Sequence, residues 1–178
     1  AESGDDGWPD VATELVLYQT VVGAWPVEAD RVEAAMLKSM REAKVHTSWR
    51  RPDAAYEEAV LGFVGEVLAD ARFLALVERF LEHHDLVRLG RVTSLAQVAL
   101  LLTCPGVPDV YQGDELWDLS LVDPDNRRPV DFALRRRLLT SILETADDRP
   151  RLVRQLLDHT EDGRIKLHVL RRTLALRR

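Results

Sequence analysis

A single cysteine, Cys104, in a chain of 178 residues excludes an internal disulfide framework and any metal site built from several thiolates. It sits in an apolar run and is expected to act as a small buried hydrophobe. Glycine and proline are also few, nine and eight, which excludes a fibrous chain, while 46% apolar residues are too many for a disordered one. No uninterrupted apolar run approaches the ~18 residues of a membrane span, so no membrane partner is expected. The opening AESGDDGWPD lacks a basic stretch leading into an apolar one, so no export signal is expected either. A reducing cytoplasm is the expected setting. The net charge of −6 argues against a nucleic-acid partner. No internal repeat or low-complexity segment is visible.

What is present is unevenly charged. The first thirty residues hold seven acids (Glu2, Asp5, Asp6, Asp10, Glu14, Glu28 and Asp30) and no Lys or Arg. The last sixteen hold six bases, Arg164, Lys166, Arg171, Arg172, Arg177 and Arg178, and no acid. Those bases alternate with Ile165, Leu167, Val169, Leu170, Leu174 and Leu176, the pattern of a helix with a solvated basic face.

Helix dominates the apolar spacing. Pro9 and Asp10 start a first helix with Val11, Leu15, Tyr18 and Val22 on its stripe, ending near Gly23. A second runs from about Glu28 to Val45, with Val32, Met36, Met40 and Ala43 on one face. Pro52 and Asp53 open a third (Tyr56, Val60, Phe63, Val64, Val67, Leu68), and Asp70 caps a fourth (Phe73, Leu74, Val77, Phe80, Leu81) that ends at His83 and His84. Adjacent histidines on a helix point apart, so they predict no shared metal. Thr93 or Ser94 starts a fifth helix with Leu95, Val98 and Leu102 inward. Asp131 caps a sixth, Pro150 opens a seventh, and Gly163 or Arg164 leads into the basic eighth.

Between Pro105 and Asp131 the texture changes to four prolines, two glycines and a succession of acids. Long loops without helix or repeat are uncommon in compact domains and are usually functional. Val110-Tyr111 reads as a short strand, and a lone strand forms no sheet by itself. It is therefore either extended loop or a strand whose partners are elsewhere. Gly113 permits a sharp turn out of it, beside Gln112, Asp114 and Glu115. Trp117 offers an aromatic face and an N–H donor; Asp123, Asp125 and Asn126 offer paired hydrogen bonds; Arg127 and Arg128 offer planar forks. An aromatic plate beside carboxylates, amide and guanidinium suits a sugar, whose C–H faces stack and whose hydroxyls take bidentate partners. The same residues equally suit an internal Asp–Arg network that pins the loop.

PGVPDVYQGDE resembles the eighth-strand region of the alpha-amylase superfamily, glycoside hydrolase family 13. The longer PGVPDVYQGDELWDLSLVDPDNRRPVDF, with ELVLYQTVVGAWP, REAKVHTSWRRPDAAYEEAV and KLHVLRRTLALRR, is more closely similar to the maltooligosyl trehalose synthases within it. The resemblance runs from about Val11 to Arg178. It implies a (β/α)8 barrel with an inserted helical subdomain. The implied reaction converts the reducing-end α-1,4 bond of a maltooligosaccharide into an α,α-1,1 bond, through a carboxylate nucleophile and a carboxylic acid.

In that family the catalytic acids precede LYQTVVGAWP, so the resemblance implies that no catalytic acid lies in these residues. Asp114, Glu115, Asp123 and Asp125 are not assigned to the task. The expected fold class is mainly α: a helical subdomain over 1–103, then the eighth barrel strand, cleft loop and following helices over 104–178. Candidate substrate-binding residues are Trp117, Asp123, Asp125, Asn126, Arg127 and Arg128, with His46 and Trp49 of the HTSW stretch at the cleft rim. No metal and no cofactor is expected; the expected partner is a maltooligosaccharide. A competing reading is a non-catalytic helical interaction module. The leucines of helices six to eight (Leu134, Leu138, Leu139, Leu152, Leu156, Leu157, Leu167, Leu170, Leu174) exceed what a short bundle buries and predict self-association.

Overall fold

The computed structural model describes residues 7–121, 123 and 125–177. Glu2, Asp5, Asp6 and Arg178, which contribute to the charge asymmetry, lie outside the described residues. The chain is mainly α, with eight α-helices and two short 3-10 turns among the described residues. No strand occurs among them; Val110-Tyr111 is irregular backbone. The described residues form two compact units, 7–84 with 119–128, and 85–118 with 129–177. Compactness thus partitions the chain differently from a parent-enzyme boundary at 103/104.

The first unit is built from α1 (Val11–Ala24), α2 (Ala29–Ala43), α3 (Ala54–Ala69) and α4 (Ala71–His83). Three of its helix starts are capped by the aspartates that announce them. Asp10 accepts from the Ala12 and Thr13 amides, Asp53 from Tyr56, and Asp70 from Arg72. The predicted stripe of α2 is buried at Val32, Met36 and Met40, against the Tyr56, Val60, Phe63, Val64 and Val67 face of α3. In α1 the buried face is Leu17, Val21 and Ala24, while Val11 is 82% exposed and Leu15 is exposed as well. That helix is apolar nearly all round, so spacing alone selects the wrong stripe. In α4, Val77 and Leu81 are buried but Phe80 is exposed and lies against the His84 ring.

The second unit contains α5 (Leu86–Thr103), α6 (Phe132–Glu144), α7 (Arg149–Asp158) and α8 (Arg164–Arg177). The start of α5 lies seven or eight residues ahead of Thr93 or Ser94. Asp85, in the left-handed region at φ 51°, makes the break, and LVRLGRVT after it carries no proline to delay the helix. By length and mean apolarity α5 could cross a membrane, but it carries Arg88 and Arg91 and packs along α8. Cys104, at its C-cap, is exposed rather than buried, because the chain turns outward into Pro105–Pro108 there.

The core of this unit is Leu116, Ile142, Leu152, Leu156 and Leu167, bordered by Leu134, Leu138, Leu139 and Ile165. Most leucines of the last three helices are absorbed within the unit, while Leu143, Leu157, Leu174 and Leu176 stay exposed. The broader apolar exposure falls on α5, at Val87, Leu89, Val92, Leu100 and Leu101.

Candidate functional site

The loop between α5 and α6 contributes to both units, and each part is held by its own polar network. Residues 119–128 belong with the first unit, where they are tied to α2 by Arg31. Its guanidinium donates to Asp125 Oδ1 at 3.1 Å and Oδ2 at 2.9 Å, to the Leu119 carbonyl at 2.9 Å, and to Glu28 at 2.8 Å. The Arg31 and Asp125 side chains are only 15% and 11% exposed. Asp125 also accepts from the Leu121 amide at 2.7 Å and pairs with Arg128 at 3.1 Å. Arg31 beside it holds the Asp125 carboxyl below the usual carboxylate range.

The neighbouring candidates are arranged around this pin. Asp125, Asn126 and Arg127 form a 3-10 turn. Arg127 makes an exposed two-pronged pair with Asp123. Arg128 also donates to the Asp125 carbonyl and the Ser120 hydroxyl. The Asn126 side-chain carbonyl is buried and has no hydrogen-bond partner among the described residues. A buried acceptor left unpaired is uncommon and calls for a reason beyond packing.

His46 and Trp49 sit elsewhere in the first unit. His46 Nε2 lies 3.2 Å from Asp10, and its ring stacks on Tyr56 with centroids 4.6 Å apart. Asp10 also accepts from the Thr13 and Tyr56 hydroxyls; burial raises its pKa, but the bonds from the Thr13 amide, these two hydroxyls and the Ala12 amide together lower it. These groups border a cavity of about 380 Å³ whose deeper lining is Val16, Met36 and Met40. Trp49 is 58% exposed, with the Arg41 guanidinium 4.8 Å from its ring centre. Behind it, Arg41 and the buried Thr47 both bind Glu57.

Trp117 belongs to the second unit. Gly113, at φ 105°, makes the turn ahead of it, and Arg135 holds that turn through Glu115 at 2.8 Å and the Gly113 carbonyl at 2.7 Å. Trp117 Nε1 donates to the Thr160 carbonyl at 2.6 Å. Gly163, at φ 76°, lets α8 begin close by; a Cβ there would come within 3.1 Å of Leu116 and 3.2 Å of the Trp117 amide. Lys166, buried at 6% exposure, donates to the Leu116 carbonyl at 2.9 Å. Burial lowers its pKa against the opposing field of Asp114, Asp118 and Glu115.

Two organising residues escaped the sequence reading. Arg31 is the first basic residue after thirty acid-rich positions, a signal that could have found it. Glu57 lies three and seven residues before Val60 and Val64, on the inward stripe of α3, where an acid needs a partner. Among the described residues no group of three or more His, Cys, Asp or Glu is arranged to hold a metal ion.

No family model matches the chain. Two curated relatives from Mycobacterium tuberculosis, strains CDC 1551 / Oshkosh and ATCC 25618 / H37Rv, carry the name maltooligosyl trehalose synthase. Each is 44% identical over 144 residues, 75% of this chain and 18% of the relative. Solved structures agree. The maltooligosyltrehalose synthase from Arthrobacter ramosus superposes with a TM-score of 0.73 at 41% identity, over 93% of this chain and 20% of its own. Another structure of a maltooligosyl trehalose synthase gives 0.78 at 34% identity, over 93% and 22%. The DSM5389 glycosyltrehalose synthase gives 0.76 at 37%, over 93% and 21%. The chain spans about a fifth of the length of the relatives it matches.

Proposed function

The chain is a relative of the maltooligosyl trehalose synthases, matching one stretch of them, and from that premise we propose that it is a segment of a glucan 1-α-D-glucosylmutase. The parent enzyme isomerises the reducing-end α-1,4 bond of a maltooligosaccharide to α,α-1,1, an intramolecular transfer made in a cytoplasmic setting. The observation that carries this reading is the 93% superposition at 34–41% identity on solved synthases.

In this reading residues 1–103 belong to the helical subdomain and 104–178 to the end of the catalytic barrel. The retaining mechanism requires a nucleophilic carboxylate and a carboxylic acid about 5–5.5 Å apart. Neither is assigned here. Asp125 is bound by two arginines and an amide, and Asp123 pairs with Arg127, so both serve as anchors of the loop. In the first unit Asp123, Asn126, Arg127 and Arg128 are read as sugar-proximal residues and His46 and Trp49 as rim residues; in the second unit Trp117 is read by itself as a residue on which a sugar stacks. Alone, the 178 residues are inactive. The exposed face of α5 is where the isolated chain would self-associate.

The test is Arg127→Ala and Arg128→Ala in the complete enzyme. Loss of a charge-assisted hydrogen bond to the cleft or to sugar lowers kcat/KM roughly ten- to a hundred-fold. Unchanged kinetics in both variants would remove the loop from the substrate site.

A further inference from the structure

Among its described residues the loop carrying Asp123 to Arg128 has one 3-10 turn and no other helix or strand, yet it is tied to α2 at a nearly buried point. Arg31 supplies that attachment. Its fork engages both oxygens of Asp125 and, with the same Nη2, the Leu119 carbonyl, so one side chain fixes both ends of the segment 119–125. Asp125 closes the turn from inside through the Leu121 amide. Its oxygens are thereby engaged by Arg31, Arg128 and Leu121, and Asp125 has little capacity left for a sugar hydroxyl. The Arg127 and Asp123 side chains, by contrast, are exposed and pair with each other.

We propose that Arg31, through Asp125, is a positioning residue for substrate: it holds the 119–128 loop so that Arg127 and Asn126 meet the sugar in a fixed geometry. This rests on the reading of the loop as sugar-proximal. Arg31 itself touches no substrate. A lysine cannot replace it, because one ammonium does not reproduce a planar fork reaching a carboxylate and a carbonyl together. Arg31 and Asp125 act as one unit, so their removal is not additive.

The experiment uses the complete enzyme with Arg31→Met, Arg31→Lys, Asp125→Asn and the Arg31→Met/Asp125→Asn double variant. Maltopentaose kinetics, melting temperature and tryptic cleavage of the Arg127–Arg128 bond are measured for each; proline after Arg128 blocks cleavage at the next bond. The expected result is a KM raised about tenfold in the single variants, with kcat changed less, and faster nicking after Arg127. The double variant should be no worse than the more impaired single. Arg31→Lys should recover only part of the loss. A lowered melting temperature with KM and nicking at wild-type values would make Arg31 merely structural and overturn the proposal, as would additive losses. If Arg31→Met does not fold, Asp125→Asn decides by the same criteria. A wild-type enzyme inactive on maltopentaose would instead overturn the proposed function, while the nicking rates would still report on the pin.

Discussion

Lys166 Nζ lies 5.9 Å from the centre of the Trp117 ring while bonding the carbonyl of Leu116, the residue before it. A buried cation on α8 therefore fixes the backbone of the loop and lies near the indole at once. Arg91 stands at 5.9 Å from the same ring. With Nε1 already given to Thr160, only the carbon faces of Trp117 remain for a ligand. Trp117→Phe should keep most of any stacking but leave the Thr160 carbonyl without its donor. It is expected to destabilise the chain by about 1 kcal/mol with KM nearly unchanged. Trp117→Ala should raise KM as well. Denaturant unfolding and maltopentaose kinetics on the complete enzyme check both.

Glu57 gives a pH dependence. Arg41 and then Thr47 depress its pKa from 4.5 to about 2. A depressed carboxyl stabilises the fold above its unfolded pKa and loses that contribution as pH falls through the folded value. Unfolding midpoints should therefore decline between about pH 4.5 and 2, and Glu57→Gln should flatten that limb. Glu57→Ala, which strands the buried Thr47 hydroxyl and frees Arg41, should cost about 2–3 kcal/mol at neutral pH. Urea titrations at several pH values measure this. A wild-type slope retained in Glu57→Gln would assign the acid limb to other groups.

The starts of α1, α3, α4 and α6 were legible because aspartate capping is local: Asp10, Asp53, Asp70 and Asp131 each bond amides within their own first turn. The α2 stripe was legible because charged residues alternate with it along ADRVEAAMLKSMREA. The α1 face was not, since VATELVLYQTVVGA offers almost no polar contrast. The start of α5 was hidden because a left-handed Asp85 is a tertiary choice that no residue pattern announces. The candidate loop was visible from its composition, but its anchor was not: Arg31 meets Asp125 across ninety-four residues of sequence, and only the folded chain brings them together.

Asn126 tests whether the orphaned acceptor serves a ligand. Replacing a buried, unpaired polar group by an apolar one of similar size is neutral or stabilising. Asn126→Leu is therefore expected to leave the melting temperature unchanged or raise it, while raising KM for maltopentaose. A fall in stability with KM intact would show that the amide is satisfied in solution and takes no part in binding.

The isolated chain is expected to self-associate through the exposed Val87, Leu89, Val92, Leu100 and Leu101 of α5. Light scattering at physiological salt should give a particle of at least twice 20.2 kDa. Leu100→Lys together with Val92→Lys should return it to a monomer. A clean monomer of the unsubstituted chain would contradict this expectation.

The most direct test incubates maltopentaose with the complete enzyme and, separately, with the 178-residue chain, following anomeric signals by NMR. The account predicts that the complete enzyme converts reducing-end signals into an α,α-1,1 linkage without releasing free glucose stoichiometrically, and that the isolated chain leaves the sugar untouched. Isomerisation by the isolated chain, or none by the complete enzyme, would contradict it.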